Sequence, residues 1–168
     1  MADAATMTIK AVLLPDEIQK TLKDLTFSYT PANSSEKWFY GLLNVQTSST
    51  NLISGNFIET VTSAGRTAGG TPDSITTSDK VKFLFIKNTA TTDGSSAATD
   101  SIYLVLDGST AAHSSTNVIE IGSSESWFAK LTNTTVGDLH AINGDAAGAG
   151  TGEANVQCIV AAILDDVA

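Results

Sequence analysis

The run VQCIVAAIL, residues 156–164, is apolar at nearly every position, and so is VKFLFI at 81–86. Neither run alternates as a half-buried strand does. Neighbouring side chains on a strand point to opposite faces of the sheet, so a run without alternation must be covered on both sides. In a two-layer sandwich one face meets the opposite sheet, and the other needs a loop, a helix or another copy of the protein. The sequence has little helix to supply that cover, which makes contact between subunits the expected solution.

Around these two runs, short β-rich segments recur between turn-forming residues, a pattern that favours a sandwich or barrel over alternating strand and helix. Strands are expected at 8–14, 25–29, 38–46, 56–61, 80–87, 101–106, 117–121, 126–131, 137–142 and 155–164. The connections between them are rich in Gly, Ser, Thr and Asp, as in AGGTPD, TTDGSS and the long GDAAGAGTGE. One short helix is expected from Pro15, where Ile18, Leu22 and Leu25 fall at helical spacing behind Asp16 and Glu17. The expected fold is all-β, an antiparallel β-sandwich or jelly-roll-like barrel with at most one short helix. The 168 residues show no fixed-period repeat and no break in composition, which predicts a single domain over 1–168, with 1–14 as a candidate extended N-terminal arm.

Nine basic residues against eighteen acidic ones leave a net charge of −9, which repels nucleic-acid phosphates and anionic lipid surfaces. No apolar run approaches the roughly 20 residues of a membrane-spanning helix, and the amino terminus lacks a basic segment followed by a long apolar core. Neither nucleic acid nor membrane is an expected partner. The single cysteine, Cys158, sits inside an apolar run, where a buried reduced thiol is expected.

Chemical signatures are sparse. Gly148, Gly150 and Gly152 in GAGTG suggest a phosphate-cradling loop, but such loops open a helix. This one leads into a β-branched run between Asp145 and Glu153, so it reads as a flexible hairpin loop. His113 and His140 have no second ligand at metal-binding spacing, and no Gly-x-Ser-x-Gly elbow occurs among the serines. Asp93, Asp100 and Asp107 lie in or beside loops where carboxylates can bind calcium. The Asp93-Gly94 and Asp107-Gly108 pairs are better explained as turns that need positive φ. No catalytic, cofactor-binding or metal-binding residue is therefore assigned, and no cofactor or enzymatic activity is expected.

The aromatic residues point elsewhere. Alternation along 126–131 puts Trp127, Ala129 and Leu131 on one face and Phe128 and Lys130 on the other, so one aromatic belongs to the core and the other is an exposed anchor or is covered by a loop. Trp38-Phe39-Tyr40 poses the same choice. Trp38, Tyr40 and Phe128 are candidate interface residues. Ile9, Val12 and Leu13 join them in the arm, which can add a strand to a neighbour's exposed sheet edge.

The succession FLFIKNT, SIYLVLDG, VIEIGSSES, DLHAI and VQCIVAAIL, between Val81 and Leu164, resembles the β-sandwich pattern of small tailed-bacteriophage virion proteins. It has a strand ending in Asn-Thr, a hairpin, an Ile-x-Ile-Gly-x-x-Glu-Ser corner and two closing strands. It departs from that pattern in carrying Ser-Ser in place of the usual Pro-Gly before Glu125, and in the length of its Gly-rich loop. The resemblance covers about half the chain. It implies a non-enzymatic virion structural protein, a capsid decoration (cement) protein or else a neck, tail or fibre component. The implied partners are the major capsid protein or other virion proteins, with self-association into a homo-oligomer. The implied location is the virion, assembled in the host cytoplasm. A carbohydrate-binding β-sandwich module, stacking Trp38, Tyr40 or Trp127 on a sugar ring, is the alternative from a different class.

Overall fold

The computed structural model describes residues 5–9, 25–33, 35–57, 73–109, 117–145 and 148–167. The chain divides into two compact units, Met1–Ser34 and Ser35–Ala168. In the first unit, β1 (Ala5–Ile9) and β2 (Leu25–Tyr29) pair antiparallel, with Ala5 opposite Tyr29 and Ile9 opposite Leu25. The bounds of β2 match those read from the sequence. Of the arm expected over 1–14, only Ala5–Ile9 is described, and it is paired along its whole length. The expected helix falls on 15–24, outside the described residues, and Leu25, its last apolar position, opens β2 instead.

The second unit contains β3 (Glu36–Gln46), β4 (Thr50–Asn51), β5 (Lys80–Asn88), β6 (Ser101–Val105), β7 (Ile119–Ile121), β8 (Ser126–Lys130), β9 (His140–Asp145), β10 (Gly148–Ala149) and β11 (Asn155–Asp165). Every strand pair is antiparallel. One sheet has the order β3-β11-β5-β8; the other has the order β10-β9-β6-β7, with β4 also paired to β9. The fold is all-β and sandwich-like, as the segmentation predicts.

The two runs that lack alternation become β5 and β11, which lie side by side as the inner strands of the four-stranded sheet. An inner strand is flanked by neighbours on both edges, and the middle of its outer face is shielded by their side chains. The inward residues of this sheet are Phe39 and Val45 of β3, Leu84 and Ile86 of β5, and Val156, Cys158, Val160 and Ala162 of β11. They form one core with Ile102, Leu104, Ile121 and Ala141 of the other sheet. Leu84, Ile86, Ile102 and Leu104 are fully buried, each contributing roughly 1.5–3 kcal/mol relative to exposure. The second sheet also has an apolar outer face, where Tyr103, Val105 and Ile142 make a separate buried cluster.

The strand expected over 137–142 begins later than its composition suggests. Val136–Asp138 form a 3₁₀ turn, and β9 starts at His140. Thr135 donates both its backbone N–H and its Oγ1 to Asp138 Oδ2, at 2.8 and 2.9 Å, which holds the turn. Of the strand expected over 56–61, Asn56 makes an isolated bridge to Ser74 and 58–61 lie outside the described residues.

The Gly122–Glu125 corner joins β7 of one sheet to β8 of the other. Glu125 donates its N–H to the Gly122 carbonyl at 3.0 Å, while Gly122 N–H donates to Glu125 Oε2 at 2.8 Å. Ser124 sits at φ +68°, where a turn of this shape favours glycine. Beside the corner, buried Asn88 at the end of β5 donates to the Asp100 carbonyl at 2.9 Å and the Ile121 carbonyl at 3.4 Å, and accepts from Ala90 N–H at 2.9 Å. One side chain thus ties the two sheets together where backbone pairing ends.

Candidate functional site

Strand register gathers the predicted aromatic residues. On the four-stranded sheet, Tyr40 pairs with Ala161, Ala161 with Phe85, and Phe85 with Phe128, so one apolar row crosses all four strands. The rows beside it are Trp38, Ile163, Phe83 and Lys130 on one side, and Leu42, Ile159, Lys87 and Ser126 on the other. All three rows lie on the face turned away from the core, because the alternate positions Phe39, Ala162 and Leu84 belong to the core cluster. The same alternation resolves the choice between neighbouring aromatics: Trp127 packs against the core and Phe128 lies on the outer face.

Exposure is uneven across this face. Phe83 and Ile163 are buried, Trp38, Phe85, Phe128, Ile159 and Ala161 are half-buried, while Tyr40 is 55% and Leu42 58% exposed. Trp38 meets Phe83 edge-on, with ring centroids 6.4 Å apart. Among the described residues only three large apolar side chains stand exposed, and two of them are Tyr40 and Leu42, two positions apart on β3. Lys87 and Lys130 give the face two cations in a chain of net charge −9.

Of the remaining interface candidates, Ile9 lies on β1, in the unit Met1–Ser34, and Val12 and Leu13 fall outside the described residues. The structure therefore brings together Trp38, Tyr40 and Phe128. Leu42, Phe85 and Ile159 join them, residues that only cross-strand register places on the same face.

The loop carboxylates have local work. Asp93 accepts from the backbone N–H groups of Ser95 and Ser96 at 2.9 and 2.6 Å and from both hydroxyls. Those donors, the Ser96 N–H first, pull its pKa down to about 2. Asp107 accepts from Asn117 and from Ser109 N–H, at 3.1 and 3.0 Å, which also lowers its pKa. Gly94 and Gly108, following these two acids, take positive φ of 90° and 75°, as the turn reading requires. Asp100 is buried against the Gly-rich loop. Among the described residues no three His, Cys, Asp or Glu converge as a metal site. His140 lies on β9 with Nδ1 3.0 Å from the Ser109 carbonyl, and His113 falls outside the described residues. Gly148 and Ala149 form β10 against β9, so the segment read as a hairpin loop supplies a short strand.

One ionisable residue, Lys37, draws no notice in the sequence, whereas Cys158 is expected there as a buried thiol. Lys37 bonds Asp166 at 2.8 Å and also Asp73, with its ammonium 5.2 Å from the centroid of the Phe57 ring; the Asp166 bond is the largest influence raising its pKa. Burial pushes the Cys158 thiol up to about 12, which leaves it protonated and unreactive in the folded chain. No protein-family model, no curated protein and no solved structure matches the chain.

Proposed function

We propose that this protein is a non-enzymatic virion structural protein, a capsid decoration (cement) protein that stabilises the viral shell through protein–protein contacts. The observation that carries this reading is the outer face of the four-stranded sheet, where Tyr40 and Leu42 stand exposed beside a continuous apolar row. A rigid sheet presenting an exposed tyrosine and leucine at low entropic cost is suited to adhesion, since aromatic anchors concentrate binding energy. Cement proteins act by adding buried area across the seams between neighbouring shell subunits, so many modest contacts share the load.

In this reading the partner is the major capsid protein, and the chain acts in the virion after assembly in the host cytoplasm, with copies associating as a homo-oligomer. A neck, tail or fibre protein would use the same face against a different virion partner. The net charge of −9 favours neither nucleic acid nor anionic membrane as the partner. The pattern resemblance over 81–164 points to the same class. A carbohydrate-binding module is the second reading: Trp38 and Tyr40 share a face two positions apart, as a stacking platform requires, whereas Trp127 is turned to the core.

Co-sedimentation with purified capsid shells stripped of surface proteins tests the proposal. The wild-type chain is expected to pellet with the shells, and Tyr40→Glu/Leu42→Glu to stay in the supernatant with unchanged thermal unfolding. Equal pelleting of the variant, or none by the wild type, removes the assignment. A glycan-array signal lost on Trp38→Ala would put the carbohydrate reading first.

A further inference from the structure

Asp100 lies one residue before β6 and is 3% exposed. It faces the glycine-rich segment leading into β11, where Glu153 donates its backbone N–H to Asp100 Oδ2 at 2.8 Å. A Cβ built on Gly152 would stand 2.2 Å from the same oxygen, so glycine at 152 lets the loop backbone rest directly on the carboxyl group. Glu153 holds the loop from its own side. Its Oε1 accepts from Thr99 N–H at 3.4 Å, and its carbonyl accepts from the buried Asn143 Nδ2 at 3.1 Å.

The second carboxylate oxygen of Glu153, Oε2, is buried without a donor. Two crossing bonds, Glu153 N–H to Asp100 Oδ2 and Thr99 N–H to Glu153 Oε1, bring the two carboxyl groups together. Two ionised carboxylates offer each other only acceptors, so this contact needs a proton between them. We propose that Asp100 and Glu153 share one proton, and that the resulting carboxyl–carboxylate bond latches the glycine-rich loop of 148–153 onto the start of β6.

Among the described residues, the other ionisable groups around the pair are Asp145 at the end of β9, Tyr103 on β6 and Glu120 on β7. Asp145 and Glu120 are acidic, and Ser101 Oγ is already committed to Glu120 Oε1 at 2.8 Å. Nothing in this set offers a cation to replace the shared proton. Burial first, then the bond to Glu153, raises the pKa of Asp100 to about 6, while the same bond lowers that of Glu153.

The direction of the pH response follows from these two shifts. An unfolded chain releases both protons in the ordinary carboxylate range, whereas the folded pair keeps one up to about pH 6. Raising the pH through that point sets a second carboxylate against the buried one of Asp100 and loosens the loop. At the acid end Glu153 takes up its proton less readily in the folded chain, so the latch also weakens when the pH falls far enough to protonate both. The bond is strongest with a single proton on the pair.

Carboxyl-carbon NMR titration of the full chain, with amide hydrogen exchange at Gly152 and Glu153, tests the latch. The Asp100 midpoint is expected near pH 6. In Glu153→Gln the amide donates to the Asp100 carboxylate, and the proton affinity of Asp100 should fall at least about tenfold, one pH unit. Amide protection at 152–153, corrected for intrinsic exchange, should fall by about tenfold as the wild-type pair loses its proton and stay flat in Asp100→Asn, whose amide supplies a permanent donor. A wild-type midpoint in the ordinary carboxylate range overturns the proposal, as does a midpoint unmoved in Glu153→Gln. Protection that ignores the Asp100 titration overturns the latch. The wild-type and Glu153→Gln titrations decide the question even if Asp100→Asn fails to fold.

Discussion

The two sheets are both apolar on their outer faces, yet they treat those faces differently. On the five-stranded sheet Tyr103, Val105 and Ile142 are 4%, 0% and 8% exposed, whereas on the four-stranded sheet Tyr40 and Leu42 stand at 55% and 58%. An apolar outer face buried within the chain contributes to folding. On the four-stranded sheet Phe83 and Ile163 are buried as well, while the exposed pair Tyr40 and Leu42 carries a solubility cost that a partner would remove. The difference separates residues that the fold needs from residues that the proposed binding would use.

The largest effect is expected on the buried side. Ile142→Ala should lower the unfolding free energy in urea by about 2–4 kcal/mol, through lost burial and the cavity left behind. A near-neutral result would mean that this face is no more structural than the other. Next comes the tie between the sheets. Asn88→Ala orphans the Asp100 and Ile121 carbonyls and the Ala90 N–H, and should cost about 2 kcal/mol in the same measurement. At the corner between β7 and β8, Ser124→Gly should stabilise by about 0.5–1 kcal/mol, because glycine adopts φ +68° without strain. That gain shows as a raised urea midpoint with an unchanged slope. Smallest of all, Tyr40→Ala and Leu42→Ala should each change stability by less than about 0.5 kcal/mol. A cost matching that of Ile142→Ala would erase the distinction between the faces.

Much of the sandwich is legible in single residues. The near-continuous apolarity of 81–86 and 156–164 marks strands covered on both faces, and they become the two inner strands of one sheet and pair with each other. The 25–29 run has turn chemistry and β-formers at both ends, and becomes β2 unchanged. Val136–Asp138 misleads because its β-branched neighbours suggest a strand, although Thr135 three residues before Asp138 is the spacing of a helical start. The candidate face is half legible: alternation separates Trp127 from Phe128, but only cross-strand register places Tyr40 and Phe128, 88 positions apart, at the two ends of one row. Asp100 and Glu153 are marked in the sequence only as acids in or beside loops, and the bonds that they and Asn88 make are not legible there, since their partners are backbone groups and carboxyls brought close only by the meeting of strand ends.

Hydroxyl-radical footprinting of the chain free and mixed with capsid shells tests the proposed docking face most directly, because oxidation reports the solvent access of individual side chains. Tyr40 and Leu42 should oxidise readily in the free chain and be protected on the shell, with Val167, exposed at 42% beyond the end of β11, unchanged in both states. Equal oxidation of Tyr40 and Leu42 in the free and bound chain would contradict the assignment of the four-stranded sheet as the binding surface.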